Sequence, residues 1–113
     1  MEAEWVVAWR HRSPEGGKTA REPCALDGSA LYRQYWGRGE FFQARAMEVA
    51  GHLDPARQSV EHAFHIQNDD GEWDGPPASG WPAWDNAGGN AGAVWDYYLY
   101  TRDTDWLAKA YPH

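Results

Sequence analysis

The chain has a single cysteine, Cys24, among 113 residues. No internal disulfide can form, and one thiol says little about compartment. Long apolar runs are missing as well, so no segment is expected to span a membrane. The opening Met1-Glu2-Ala3-Glu4-Trp5 is acidic where a secretory leader would be basic and then apolar, and the expectation is a soluble, cytoplasmic protein. Positive charge is also scarce. Ten Lys and Arg face seventeen Asp and Glu, giving a net charge of −7, and the basic residues are scattered rather than gathered in a stripe. A nucleic-acid or anionic-membrane partner is therefore not expected, because phosphate binding needs a concentrated basic surface.

Tryptophan, by contrast, is abundant, with eight in the chain. Packing in helices accounts for Trp95 and Trp106, which fall on helical patterns. It accounts poorly for Trp73, Trp81 and Trp84, which share the stretch Gln67 to Asp85 with Gly71, Gly75, Pro76, Pro77, Gly80 and Pro82. That stretch also carries Asp69, Asp70, Glu72, Asp74 and Asp85. An acidic, aromatic loop suits a neutral, hydroxyl-rich ligand. Ring faces cover apolar sugar C–H surfaces, and carboxylates accept hydrogen bonds from hydroxyl groups.

Four helices are predicted after an irregular segment, residues 1–30, that holds one short strand candidate at Trp5-Val6-Val7-Ala8-Trp9. From about Glu40 to Leu53 the apolar residues Phe42, Ala46, Val49, Ala50 and Leu53 trace one helical face. Asp54-Pro55 then reads as a helix start, and Ala56, Val60, Ala63 and Phe64 mark the inner face of a second helix that stops before Asn68-Asp69-Asp70-Gly71. Ala91, Val94, Trp95, Tyr98 and Leu99 mark a third helix ending near Thr101. Asp103 or Thr104 can cap a short fourth one before Pro112. The inter-helix turns at Leu53-Asp54 and Arg102-Asp103 lie 49 positions apart. A helical hairpin recurring at that spacing is the signature of a repeat or toroid, in which each hairpin buries a face against the next.

The run Tyr35-Trp36-Gly37-Arg38-Gly39-Glu40-Phe41-Phe42, followed by Ala46, Gly51 and Ala56-Arg57, resembles the opening hairpin of the six-hairpin (α/α)6-toroid glycosidases, glucoamylase-like members above all. Gln67-x-x-x-Gly71-x-Trp73, Trp84-Asp85 and Tyr98…Thr101-x-Asp103-x-x-Trp106-Leu107…Tyr111-Pro112 resemble rhamnosidase-like and debranching relatives. The likeness covers residues 31–113 and implies two α-hairpins of a glycoside-hydrolase domain acting on neutral carbohydrate. At about 50 residues per hairpin a closed six-hairpin ring needs roughly three times this length. The expectation is therefore a fragment, an incomplete barrel that is inactive alone. It is also expected to leave Phe41, Phe42, Tyr97 or Tyr98 exposed and to self-associate through unpaired helix faces.

The resemblance also implies site residues. Trp36 would form a pocket wall, and Arg38 would donate to sugar hydroxyls through its rigid fork of N–H groups. Gly39 stands where the family has Asp, and Glu40 follows as its substitute. Trp73, Trp84 and Asp85 complete the expected sugar-contacting set. Glu40, Asp70, Glu72, Asp74 and Asp85 are candidate acids, but none sits in a motif that marks a catalytic carboxyl. Asp85 beside Trp84 is the acid to watch, with capping of the third helix by Asp85 or Asn86 as the plainer role. No metal site or cofactor is expected. His62 and His65 do not form His-Glu-x-x-His and are read as surface residues, and Asn68-x-Asp70-x-Glu72 fails as a calcium loop at Trp73 and Ser79. Two alternatives stand beside the hydrolase. One is a non-catalytic carbohydrate-binding or interaction module. The other is a piece of a terpene-cyclase-type toroid, in which Gln67 and Trp73 would be scaffold.

Overall fold

The structure, a computed structural model, describes residues 7–8, 23–25, 35–73 and 84–113. Apart from one minimal strand pair it is all-α. Strand β1 (Val7–Ala8) pairs antiparallel with β2 (Pro23–Cys24), and helices α1 (Gly37–Val49), α2 (Leu53–Ile66), α3 (Asp85–Thr101) and α4 (Thr104–Ala110) follow. Only the centre of the strand expected at residues 5–9 is among these. The remainder of that strand, Asp74, Gly75, Pro76, Pro77, Ser79, Gly80, Trp81 and Pro82 lie outside the described residues.

Each helix end has a local cause. Gly51 adopts φ 82°, its N–H donates to the Glu48 carbonyl at 3.0 Å, and His52 N–H reaches back to Met47 at 2.8 Å. That is a Schellman stop, and glycine is needed because an L side chain resists this backbone angle. Helix α2 begins one residue before the expected Asp54 cap. Asp54 and Pro55 instead occupy its first turn, where an acid meets the positive helix end and proline forfeits no hydrogen bond. Arg102 ends α3 at φ 56°, and Asp103 caps α4 by accepting from Trp106 N–H at 2.8 Å.

The helices form two hairpins, α1–α2 and α3–α4, and α1 lies parallel to α3. Contacts climb both helices together: Gly37 to Asn86, Arg38 to Asp85, Arg45 to Asp96. The two backbones approach closely at their N-terminal ends. A Cβ added to Gly89 would overlap the Gly37 carbonyl and come within 2.6 Å of Arg38 N, so only glycine fits. One core joins Ala44, Met47, Ala56, Val60, Ala93, Tyr97, Trp106 and Ala110, and a smaller one joins Cys24, Tyr35 and Ala63.

The inward face of α2 is the expected one, with Ala56, Val60 and Ala63 buried and Phe64 half-buried. The faces of α1 and α3 are not. Helix α1 buries Gly37, Glu40, Ala44, Met47 and Glu48, while Phe42, Ala46 and Val49 are exposed. Helix α3 buries Asn86, Asn90, Ala93, Asp96 and Tyr97 and exposes Ala91 and Trp95. Trp106 is a core residue as expected, but Trp95 is 56 % exposed. Of the four aromatics expected outside, Phe42 is exposed, Phe41 and Tyr98 are half-buried, and Tyr97 belongs to the core.

Candidate functional site

Because α1 and α3 are parallel and nearly in register, their N-termini form one rim. Trp36 is the residue before α1 and Trp84 the residue before α3. Arg38, in the first turn of α1, donates from Nη1 to Asp85 Oδ2 at 2.9 Å across the seam. Both partners stay in water, with side chains 66 % and 50 % exposed, so the pair adds at most about 1 kcal/mol to stability. Asp85 also sits at the positive end of α3, where a carboxylate is favoured. Trp36 is half-buried, and Trp84 is 88 % exposed, an indole face with no packing role among the described residues.

Below the rim lies a seam of buried polar groups. Gly37 N–H donates to Asn86 Oδ1 at 2.9 Å, so Asn86 caps the neighbouring helix α1 rather than its own. Tyr35 Oη donates to Asn90 Oδ1 at 2.8 Å. Ser59 on α2 donates its hydroxyl to Glu40 Oε2 at 2.7 Å and accepts Ala25 N–H at 2.8 Å. His62, expected at the surface, is buried and packs its ring 4.9 Å from that of Tyr35. Burial and the nearby Glu40 carboxylate push the Cys24 thiol up to about 12 and hold the Tyr35 phenol well above its ordinary range. Both are neutral at physiological pH, which removes Cys24 as a nucleophile.

The expected site residues thus divide. Trp36, Arg38, Trp84 and Asp85 come together on the rim. Glu40 does not join them: it is 1 % exposed, with its carboxylate turned inward to Ser59. Its helical position explains this, since Glu40, Ala44, Met47 and Glu48 share the face of α1 that is buried. Trp73 is half-buried and pinned, with its indole N–H donating to the Ala63 carbonyl at 2.8 Å. Gln67 acts similarly, donating to the carbonyls of Gly71 at 2.9 Å and His113 at 2.6 Å. Asp70 closes a local turn by accepting Glu72 N–H at 3.0 Å.

Sequence reasoning gave Tyr35 and Ser59 no polar role, placed His62 at the surface, and took Asn86 or Asn90 as a helix cap, whereas Asn86 caps α1 and Asn90 accepts from Tyr35. The available signal was polar residues at helical spacing, Asn86 and Asn90 four apart around Gly89, Ser59 and His62 three apart. Chemically, the rim offers two indole faces, a guanidinium with one of its five donors engaged by Asp85, and one carboxylate. Among the described residues no three His, Cys, Asp or Glu side chains gather as a metal cage. No helix among them is long and apolar enough to cross a membrane. No protein-family model matches the chain, and neither a curated protein nor a solved structure matches it.

Proposed function

We propose that this chain contributes two hairpins of an α/α-toroid glycoside hydrolase, and that its rim of Trp36, Arg38, Trp84 and Asp85 is part of the wall that holds a neutral saccharide. The observation that carries the reading is the juxtaposition of two helix-start tryptophans around the Arg38–Asp85 pair. Sugar recognition combines an aromatic face for the apolar ring surface with bidentate donors and acceptors for adjacent hydroxyls. A pair of opposite charges leaves no net charge to demand an ionic ligand, and the acidic chain disfavours an anionic one. The alternative, a carbohydrate-binding module without hydrolytic activity, is favoured by one observation. Glu40 is turned inward, and so Asp85 stands as a lone rim carboxylate among these residues, whereas hydrolysis ordinarily takes two.

Titration with neutral oligosaccharides, followed by tryptophan emission, tests the pocket. A saturable change in the millimolar range is expected. Arg38→Ala should abolish it, Trp84→Ala should remove most of its amplitude, and a uronic-acid sugar should bind more weakly. No saturable signal with any neutral saccharide would eliminate the sugar reading. Turnover of an aryl glycoside abolished by Asp85→Asn would show that the rim performs chemistry and not only binding.

A further inference from the structure

The first half of α3 carries Gly88, Gly89 and Gly92, and glycine inside a helix weakens it relative to alanine. Two of these positions have a structural cause. A Cβ on Gly89 would overlap the Gly37 carbonyl, and one on Gly92 would come within 3.0 Å of the Phe41 ring. Gly88 has no such cause. It is exposed, its φ is not positive, and nothing lies within 4 Å of a Cβ placed on it. Neither the contact with α1 nor the backbone angle asks for glycine here, and helix propensity argues against it.

Its place on the helix supplies a reason. Gly88 lies one turn below both Trp84 and Asp85, at i+4 and i+3, and a helical side chain leans back over the turn before its own Cα. Any side chain at position 88 would therefore cover the surface beside Trp84, which is 88 % exposed, and beside the Asp85 carboxylate that accepts from Arg38 at 2.9 Å. We infer that Gly88 determines what the rim admits: it leaves open a slot in which one pyranose ring of a neutral saccharide lies against Trp84, with its hydroxyls toward Asp85 and Arg38. The inference rests on the saccharide reading of the rim and adds the residue that sets the size of the ligand. The slot suits this occupant chemically. It has an indole for the apolar C–H surface, a carboxylate and a guanidinium for adjacent hydroxyls, and no side chain from the turn below to block them. Stability given up at the one α3 glycine that packing leaves unexplained is what a site kept open for binding produces.

Titration with maltotriose and with cellotriose, followed by tryptophan emission, reads the slot in wild type, Gly88→Ala and Gly88→Leu. Position 88 is exposed, so both variants should fold, with urea midpoints at or above that of wild type, because alanine and leucine favour a helix over glycine. Gly88→Leu should bind the wild-type ligand about tenfold more weakly, the loss expected when a ring no longer lies against the indole, and Gly88→Ala should fall between. A glycine with only a structural role would not give raised stability together with lowered affinity. Gly88→Leu that binds as tightly as wild type, while Arg38→Ala abolishes binding, would overturn the slot and leave the rim reading standing. A wild type that binds neither trisaccharide would overturn the slot as well, whereas the rim reading falls only when no neutral saccharide binds.

Discussion

Replacing Glu48 by glutamine should make the protein more stable at pH 8 and leave it almost unchanged at pH 4.5. Glu48 lies on α1 at 3 % exposure, and its carboxylate oxygens have no hydrogen-bond partner among the described residues. Burial first, and repulsion from Asp96 on α3 second, push its pKa from 4.5 up to about 7, with Arg45 opposing the shift. Arg45 is drawn to Asp96, 3.5 Å away, and so offsets only part of the penalty. The sign follows from proton binding. The folded state holds the proton up to about pH 7, whereas the unfolded chain releases it near 4.5, so the folded state binds more protons across that window. Stability is therefore intact below the lower value, falls as pH rises through the window, and stays depressed above it.

The shift from 4.5 to about 7 corresponds to ~3 kcal/mol at pH 8, at 1.36 kcal/mol per unit. Glutamine mimics the protonated form in shape and cannot ionise. Urea unfolding of wild type and Glu48→Gln, followed by far-UV circular dichroism, should give a difference of ~3 kcal/mol at pH 8 and a few tenths at pH 4.5. Taking the difference cancels every other titrating group. Asp96→Asn should produce a smaller gain, because desolvation, the larger cause, persists. Equal differences at the two pH values would refute the reasoning and mean that Glu48 ionises as freely in the folded chain as in the unfolded one.

Two further outcomes follow from the same packing. Gly89→Ala should cost ~2 kcal/mol or more in urea unfolding, because its methyl would overlap the Gly37 carbonyl with rigid backbone on both sides. Gly88→Ala, one residue away in open space, should instead gain up to ~1 kcal/mol from helix propensity. Cys24, buried and held near 12, should react with a thiol reagent at pH 8 only as fast as the fold opens, and immediately in denaturant. Prompt labelling of the native protein would show that the β2–α2 contact is loose.

The elements were legible in the sequence where local chemistry decides them. Asp103 and the apolar face of α2 act within one or two turns of chain, whereas the Gly51 stop was passed over: the first helix was expected to run to Leu53 and ends at Val49. The inward faces of α1 and α3 were not legible. Hydrophobic periodicity reports which face would gain from burial, not which face the available neighbour covers. Between α1 and α3 the decisive residues are small or polar. Gly37 and Gly89 let two backbones meet, and Asn86 and Asn90 satisfy groups across the seam. A hydropathy pattern counts all four as solvent-facing. Glu40 was misplaced for the same reason: its spacing from Ala44 and Met47 was helical, but its charge argued for water.

That polar seam also explains how two exposed, weakly coupled rim residues keep a defined geometry. The Arg38–Asp85 pair alone is too solvated to fix anything. Each residue, however, is the chain neighbour of a buried anchor: Arg38 follows Gly37, and Asp85 precedes Asn86, whose side chain accepts the Gly37 N–H. Tyr35, two positions before Gly37, is held to Asn90 one turn further along α3. Ser59 ties α1 to α2 through Glu40. Sliding α3 along α1 by one turn would break the first two bonds together and leave buried polar groups unsatisfied, at about 1–3 kcal/mol each. Apolar packing tolerates such slips far better, because one methyl group substitutes readily for another. Buried hydrogen bonds here set the register, and the register sets where Trp36, Arg38, Trp84 and Asp85 meet. Glu40 is thus a positioning residue for the rim that it was expected to join.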